Sequence, residues 1–244
     1  MGTLQGQVAL VTGASSGIGR AIATALAAEG VQVVAGARRA ERLAELVAET
    51  GGAVTAVDLD VTDRSSVTRA VETAVGDHGR LDILVNNAGL MITAPVMRAD
   101  LDDWERMVRT NLLGSMYMAH ASLPHLLESR GTLVQVSSTS GRVASPTASA
   151  YAASKFGIGA FAEALRLEVT AQGVRVVVVE PGFTATELTD HAVDAESREL
   201  AAQLARAIRT LTPEDIARAA VFAVGQPRHV SVGEILVRPS DLAA

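Results

Sequence analysis

Short apolar runs alternate with helical patterns along the chain, and this alternation restricts the possible folds more than any other feature. Most of the runs are apolar throughout, which is typical of strands that helices cover on both faces. Seven runs are candidate strands: residues 8–11, 31–35, 54–57, 83–85, 133–136, 174–179 and 235–237. The pattern predicts an α/β fold with a doubly wound, seven-stranded parallel sheet flanked by helices.

The segments between the runs repeat apolar residues at helical spacing. Helices are expected over 18–28, 39–49, 65–75, 102–127 and 150–169, the fourth being long enough that Asn111 and Gly114 are possible weak points. Thr212 and Pro213 predict the start of a last helix. Residues 183–210 form a long insertion after a strand, where we expect a segment that covers a substrate.

Composition limits the number of domains and the kinds of function. With 244 residues and 48% hydrophobic content, one domain spanning residues 1–244 is expected. The absence of cysteine excludes thiolate chemistry, and the five histidines have no metal-site spacing, so no metal is expected. The net charge of −6 disfavours nucleic-acid binding. Residues 1–7 lack a signal-peptide pattern and no run is a good membrane span, so we expect a cytoplasmic protein without membrane contact.

The stretch TGASSGIG follows the first candidate strand and opens the first candidate helix. Its glycines, Gly13, Gly17 and Gly19, have the spacing GxxxGxG. Such a turn presents free backbone N–H groups and the positive end of a helix dipole, which stabilise a phosphate group. A tight strand-to-helix connection is the alternative, but the hydroxyls of Thr12, Ser15 and Ser16 favour binding of a dinucleotide pyrophosphate.

The second candidate strand ends at Arg38 and Arg39, where an NAD site ordinarily has an acid for the ribose hydroxyl. Arginine there is typical of a site for the 2′-phosphate of NADP. The alternative is that both arginines open the next helix on a solvated surface. Because cations at a helix start oppose the helix dipole, NADP(H) is the predicted cofactor.

Tyr151 and Lys155 lie four residues apart in a predicted helix, so both side chains emerge on one face. An ammonium group beside a phenol favours the phenolate, so we expect Lys155 to lower the pKa of Tyr151. A surface pair without function is the alternative. Ser138 at the end of a strand favours catalysis, since its hydroxyl can donate to a substrate carbonyl, whereas Ser137 points to the opposite face.

Together these motifs, with NNAG at 86–89, Asn111 and PGFT at 181–184, resemble the short-chain dehydrogenase/reductase family over essentially the whole chain. The resemblance implies a Rossmann-type sheet, a homotetramer and a small-molecule carbonyl or alcohol substrate. It implies that Tyr151 is the acid/base, that Lys155 also holds the nicotinamide ribose, that Ser138 orients the carbonyl and that Asn111 anchors a water in a proton relay.

The resemblance also extends the cofactor site. Asp60 and Val61 are expected beside the adenine, Asn87 and Ala88 along the cleft, and residues 181–184 at the nicotinamide end. The expected cofactor-binding residues are Gly13, Ser15, Ser16, Gly17, Ile18, Gly19, Arg38, Arg39, Asp60, Val61, Asn87, Ala88, Gly89, Tyr151, Lys155, Pro181, Gly182 and Thr184.

Within the family, NLLGSMYMAHASLPHLL, VVVVEPGFTATEL and EILVRPSD are similar to an NADP-dependent subgroup that includes clavulanate dehydrogenase and the serine or 3-hydroxy acid dehydrogenases. The expected activity is an NADPH-dependent carbonyl reductase, reversible as an alcohol dehydrogenase. The alternatives are a catalytically silent NADP-binding regulatory protein, a 3-oxoacyl carrier-protein reductase, which Glu180 and the missing paired glycines disfavour, and a sugar-nucleotide epimerase or dehydratase.

Two interpretations concern the substrate end of the site. Met91, Met97, Val143, Phe183 and Leu188 flank the motifs and are candidates for an apolar pocket, although core packing is the more common role of such residues. Arg142 is a candidate partner for a substrate carboxylate, with bonding to loop carbonyls as the favoured alternative.

Overall fold

A computed structural model describes residues 4–188 and 208–241. Seven strands form one parallel sheet in the order β3-β2-β1-β4-β5-β6-β7. The strands are β1 (Val8–Thr12), β2 (Gln32–Ala37), β3 (Val54–Asp58), β4 (Ile83–Asn86), β5 (Thr132–Val136), β6 (Arg175–Pro181) and β7 (Glu234–Val237). Each of the seven predicted strands is therefore present.

Helices cover both faces of the sheet. They are α1 (Gly17–Ala28), α2 (Ala40–Glu49), α3 (Arg64–His78), α4 (Leu101–Met107), α5 (Ser115–Ser129), α6 (Ser149–Val169) and α7 (Pro213–Val224). Ala9 and Val11 of β1 face a core shared with α1, α2 and α7, whereas Leu10 faces a second core shared with α3, α5 and α6. This two-sided burial is why the strands are apolar at successive positions, and it confirms the doubly wound fold.

The strand order places the binding cleft. From β1 the chain moves outward to β2 and β3 and then returns to β4 on the other side of β1. In an open parallel sheet, this reversal leaves a crevice at the carboxyl ends of the strands, where ligands bind. The glycine turn after β1 and the loop after β4 border that crevice.

The expected weak point of the helix over 102–127 is a π-helical turn, Val108–Gly114, which separates α4 from α5. Position 114 of this turn requires a glycine, because a Cβ there would lie only 2.7 Å from Val61 Cγ2. Such turns are frequent at functional sites.

The last helix starts where the sequence predicts. Thr212 Oγ1 accepts a hydrogen bond from Asp215 N at 3.3 Å, and Asp215 Oδ2 accepts one from Thr212 N at 2.7 Å, which together form a capping box. None of the helices within the described ranges is long and apolar enough to cross a membrane.

The insertion predicted at 183–210 lies largely outside the described residues, because 189–207 are not among them. Its two ends are described and lie side by side. Thr184 and Leu211 form a parallel bridge, with Ala185 N donating to Leu211 O at 2.8 Å and Leu211 N donating to Phe183 O at 3.0 Å. The chain that leaves the carboxyl end of β6 therefore returns beside the same point before α7 begins.

Candidate active site

A cavity of about 480 Å³ lies at the carboxyl ends of the strands and brings the predicted site residues together. Among the predicted catalytic and cofactor-binding residues, only Gly19 and Asn111 do not line it. The lining also includes Leu90, Met91, Thr186 and Glu187. The motifs that are dispersed along the sequence thus border one continuous space.

The glycines of the TGASSGIG turn answer two different steric requirements. Gly13 has φ +66°, and a Cβ there would lie 2.8 Å from the Cα of Ala88. A Cβ on Gly19 would lie 2.3 Å from Asn87 Nδ2 and 2.5 Å from the carbonyl oxygen of Gly13. Gly19 therefore acts beneath the cavity, where it lets α1 approach the loop that follows β4.

The amino end of α1 faces the cavity without a capping side chain. Ser16 is the N-cap residue but makes no side-chain capping hydrogen bond, and the first turn contains no acidic residue. The N–H groups of this turn and the positive end of the helix dipole are therefore available to an anion. This arrangement fits the predicted pyrophosphate site.

Thr12, whose hydroxyl was one of three that favoured a phosphate site, does not line the cavity and supports the loop after β4 instead. Its hydroxyl accepts hydrogen bonds from the backbone N–H groups of Asn87 and Ala88, both at 2.9 Å, and donates to Val85 O at 3.3 Å. Asn87 Nδ2 in turn donates to Thr12 O at 3.0 Å. Thr12 thus joins the two sides of the crevice.

The two arginines after β2 have different environments. Arg38 is exposed and lines the cavity, and it makes no hydrogen bond or ion pair with the described residues. Arg39 folds over the glycine turn, where its Nε donates to Ser15 Oγ at 3.1 Å and its Nη2 to Ser16 Oγ at 2.6 Å. Its Nη1 is 2.8 Å from Glu187 Oε2. The cationic end of the cleft therefore already holds an anion, the carboxylate of Glu187.

The loops after β3 and β6 also contribute predicted cofactor residues to the cavity. Asp60 Oδ1 accepts from Thr62 N at 2.9 Å, which fixes the loop after β3 at the end of the cavity near the arginines. At the other end, Gly182 N donates to Val237 O at 2.7 Å and Thr184 Oγ1 donates to Gly182 O at 2.9 Å. These contacts order both ends of the cleft.

Tyr151 and Ser138 meet in the middle of the cavity. Tyr151 is 4% exposed and packs against Ile92 and Met107. Ser138 follows β5 and starts a short 3-10 turn, where its Oγ accepts from Ser140 N at 3.1 Å. A side-chain hydrogen bond joins Ser138 to the Tyr151 hydroxyl. The two hydroxyls therefore converge on one point.

Lys155 is buried one helical turn after Tyr151. Its Nζ donates to the Val136 carbonyl oxygen at 3.1 Å and lies 5.7 Å from the centroid of the Tyr151 ring. Burial lowers the pKa of Lys155 to about 8. The group therefore remains mostly protonated at neutral pH.

In the ligand-free protein, burial has the largest effect on the pKa of Tyr151, and the lowering expected from Lys155 together with an oxidised nicotinamide stays a prediction. Burial raises the pKa of the Tyr151 phenol above its ordinary value, and the opposing effect of the Ser138 hydrogen bond is smaller. The ammonium group is directed at the Val136 carbonyl, so its charge does not offset the loss of solvation. Tyr151 therefore holds its proton at neutral pH, which suits a general acid.

Asn111 lies in the π-helical turn, 1% exposed, behind the cavity wall. Its Oδ1 accepts from Leu90 N at 2.8 Å, and its Nδ2 donates to Leu90 O at 2.9 Å and Ser154 Oγ at 3.0 Å. The side chain thus braces the loop after β4 against α6. These bonds use both Nδ2 hydrogens and one of the two acceptor positions of Oδ1, and the expected role of Asn111 in anchoring a water stays a prediction.

Comparison with known proteins agrees with this geometry. Residues 7–197 match the family model described as short chain dehydrogenase. The chain belongs to the short-chain dehydrogenase family. Its Rossmann-type parallel sheet and its place among oxidoreductases are those of that family.

Two curated relatives differ in how much of their length the chain matches. It is 43% identical over 244 residues to a glycine betaine reductase of Emericella nidulans, covering 98% of this chain but only 19% of that protein. It is 39% identical over 241 residues to an uncharacterized oxidoreductase of Staphylococcus saprophyticus, covering 97% of this chain and 98% of the relative. The chain thus spans about a fifth of the first relative and nearly all of the second.

Two solved structures have the same fold over 98% of the chain. One is the closed form of a serine dehydrogenase complexed with NADP+, with a TM-score of 0.91, 32% identity and 97% of that chain covered. The other is an alcohol dehydrogenase from the archaeon Thermococcus sibiricus complexed with 5-hydroxy-NADP, with a TM-score of 0.85, 28% identity and 98% of that chain covered. The first agrees with the resemblance to the subgroup that contains serine dehydrogenases.

Arg142 has neither of the two roles considered from the sequence. Its Nε lies 2.5 Å from Glu180 Oε2, and its Nη2 also forms an ion pair with Glu234. The Glu180 side chain is 8% exposed. Arg142 thus ties the turn after Ser138 to β6 and β7 and is engaged by carboxylates of this chain.

The apolar pocket interpretation is correct for three residues and wrong for two. Met91, Phe183 and Leu188 line the cavity. Met97 is 95% exposed and Val143 is 66% exposed, and neither lines it. Both are surface residues, which sequence proximity to the motifs did not reveal.

Proposed function

We propose that the protein is an NADPH-dependent carbonyl reductase, reversible as an alcohol dehydrogenase, that acts on a small-molecule ketone or aldehyde. The observation that carries the proposal is the convergence of the buried Tyr151 and Ser138 hydroxyls, with Lys155, in the cavity that begins at the amino end of α1. A phenol, a hydroxyl donor and a cation in one dinucleotide-sized cleft are suited to proton transfer to a carbonyl oxygen.

The residues present fit NADP(H). The free amino end of α1 and the glycine turn suit the pyrophosphate. The 2′-phosphate suits Arg38 and Arg39, where the Glu187 carboxylate already demonstrates the affinity of Arg39 for an oxyanion. Both solved relatives carry NADP+ or an NADP analogue, which supports this assignment. A bound NADPH supplies the hydride for reduction of the carbonyl carbon.

The chain supplies orientation and the proton. The Ser138 hydroxyl donates to the substrate carbonyl oxygen and thereby sets its position. The Tyr151 hydroxyl gives its proton to the same oxygen, and the raised pKa of Tyr151 keeps that proton available at neutral pH. Lys155 provides a positive charge that stabilises the resulting phenolate. In the direction of alcohol oxidation, the same groups act in reverse.

The substrate end of the cavity favours an uncharged carbonyl compound. The described lining there includes Leu90, Met91, Phe183 and Leu188. Arg142, the nearby cation after Ser138, is held by Glu180 and Glu234. Apolar walls with a few converging hydroxyls are typical of sites for small neutral ligands.

NADPH oxidation with a panel of aldehydes, cyclic ketones, diketones and β-keto acids tests the proposal. Tyr151→Phe should lower kcat by at least about 100-fold while the affinity for NADPH stays unchanged, because only the proton donor is removed. Tyr117→Phe is the matched control, since the other tyrosine of the chain contacts Arg64 outside the cavity. NADPH binding without turnover of any substrate would favour the silent regulatory protein, and full activity of Tyr151→Phe contradicts the mechanism.

A homotetramer is part of the same proposal. Large apolar side chains are exposed on the described surface of the isolated chain, namely Val96, Met97, Leu101, Val143, Phe156, Leu167, Phe222 and Leu236. Exposed apolar residues of this kind are covered in subunit interfaces. Light scattering coupled to size-exclusion chromatography measures the assembly, and a monomer at micromolar concentration contradicts it.

A further inference from the structure

The Glu187 carboxylate lies among the cationic and hydroxyl groups of the cleft. Its Oε2 is 2.8 Å from Arg39 Nη1, and its Oε1 is 3.6 Å from Arg42 Nη2. A hydrogen bond from Ser16 also reaches it. Glu187 is 148 residues away from Arg39 in sequence, so this contact brings the chain after β6 to the glycine turn.

The bonds of Arg39 leave little capacity for a second anion. Its Nε and Nη2 donate to Ser15 Oγ at 3.1 and 3.0 Å, Nη2 also donates to Ser16 Oγ, and Nη1 donates to Glu187. A guanidinium has five N–H donors, and a phosphate is bound best when two of them point at it together. A 2′-phosphate therefore needs the edge of Arg39 that Glu187 occupies.

We propose that Glu187 is a specificity-determining residue that competes with the 2′-phosphate of the dinucleotide for Arg39. The proposal rests on the NADP-dependent function argued above. A dinucleotide without the 2′-phosphate leaves the Arg39–Glu187 pair in place. A 2′-phosphate engages Arg39 only after the carboxylate has moved, so the ion pair reduces the share of the discrimination that Arg39 adds to that of Arg38.

The Arg39–Glu187 ion pair is weak enough for a phosphate group to displace the carboxylate from Arg39. The side chains of Arg39 and Glu187 are 46% and 44% exposed, and an ion pair with that exposure is readily broken. A phosphate monoester carries a charge of about −1.5 to −2 at neutral pH, against −1 for a carboxylate. After the exchange, Glu187 remains near the phosphate and repels it. Both the lost pair and the new repulsion therefore oppose phosphate binding in the unmodified protein.

Adenosine 2′,5′-bisphosphate and adenosine 5′-monophosphate isolate this effect, because neither probe reaches the nicotinamide end. Calorimetric titration at low ionic strength compares the wild type with Glu187→Gln. We expect the affinity of the variant for the bisphosphate to rise about two- to tenfold more than its affinity for the monophosphate, because only the bisphosphate carries the group that competes for Arg39. The gain should shrink at high salt, since the charges are exposed.

Glu49→Gln is the matched control. Glu49 also forms an exposed ion pair with an arginine, Arg20, at 2.6 Å, and its replacement removes the same charge outside the cavity lining. Glu49→Gln should change the affinity neither for the bisphosphate nor for the monophosphate. A similar gain in this control shows that net charge alone is responsible and contradicts the competition.

The other outcomes separate this inference from the proposed function. If the wild type prefers the bisphosphate but Glu187→Gln gives no gain or a loss, the competition is refuted and the NADP assignment stands. If Glu187→Gln weakens the monophosphate, Glu187 supports the nucleoside and the competition is again refuted. If the wild type binds both probes equally, the NADP specificity fails, and the inference fails with it.

Discussion

The Nζ of Lys155 donates to the backbone carbonyl oxygen of Val136 at 3.1 Å, which ties α6 to the end of β5. Ser138 follows Val136 by two residues, so the strand that carries Ser138 and the helix that carries Tyr151 are joined by Lys155. The lysine thus positions both hydroxyls in addition to contributing charge. Its burial has a measurable consequence for stability.

Replacement of Lys155 by Met should change how stability depends on pH. The pKa of Lys155 is about 8 in the folded protein and near 10.5 in the unfolded chain, so between these values the unfolded state binds more protons. The free energy of unfolding of the wild type, relative to Lys155→Met, should therefore rise by about 2 kcal/mol between pH 7 and 9.5. Urea unfolding of both proteins at a series of pH values measures this difference in the free energy of unfolding. A constant difference across this range contradicts the lowered pKa.

A methyl group at Gly19 should disrupt the glycine turn. The Cβ would lie 2.5 Å from Gly13 O, so Gly19→Ala must displace the turn or α1. We expect a loss of stability of about 2 kcal/mol and a lower affinity for NADPH. In contrast, a Cβ on Gly159 in α6 meets nothing within 4 Å, and Gly159→Ala should stabilise the protein by up to about 1 kcal/mol. Thermal unfolding and NADPH titration compare the two variants, and equal effects contradict the steric argument.

Arg142 and Glu180 should show strong coupling in a double-mutant cycle. Arg142→Met leaves the nearly buried Glu180 carboxylate without its partner, at a cost of about 2 kcal/mol, whereas the double variant Arg142→Met with Glu180→Leu should recover most of that loss. Because the pair holds the turn after Ser138, Arg142→Met should also lower kcat more than it raises the KM for NADPH. Denaturant unfolding of the two single variants and the double variant measures the coupling free energy between Arg142 and Glu180. A stability loss in the double variant equal to the sum of the two single losses contradicts the coupling.

The Thr12 hydroxyl should be needed for the stability of the crevice. Thr12→Val leaves the N–H groups of Asn87 and Ala88 without their acceptor, and we expect a loss of about 1–3 kcal/mol together with weaker NADPH binding. Thr12→Ser keeps the acceptor and should keep most of both properties. Urea unfolding and NADPH titration of the two variants test this, and a Thr12→Val protein as stable as Thr12→Ser contradicts it.

Local patterns carried most of the information about the fold. The seven strands, the break near Asn111 and the start of α7 at Pro213 each depend on residues that are close in sequence, and each was predicted from them. All the predicted cofactor residues except Gly19 also line one cavity, because parallel strands bring their carboxyl ends to the same edge.

Contacts between distant residues could not be predicted in this way. The pairs Arg39–Glu187 and Arg142–Glu180 join residues that are 148 and 38 positions apart, and no spacing rule connects them. The pKa of Tyr151 depends first on its burial, to which the distant residues Ile92 and Met107 contribute, and the Lys155 ammonium donates to the Val136 carbonyl. The helical spacing of Tyr151 and Lys155 indicated proximity but not that direction.

The bridge between Thr184 and Leu211 has a consequence for how this architecture accommodates change. The backbone hydrogen bonds at this bridge hold the two ends of the intervening segment together whatever its length. Lengthening a loop whose ends are already held together costs little entropy. A different stretch grafted after Leu188 and before Leu211 should therefore leave both the sheet and the Arg39–Glu187 contact in place.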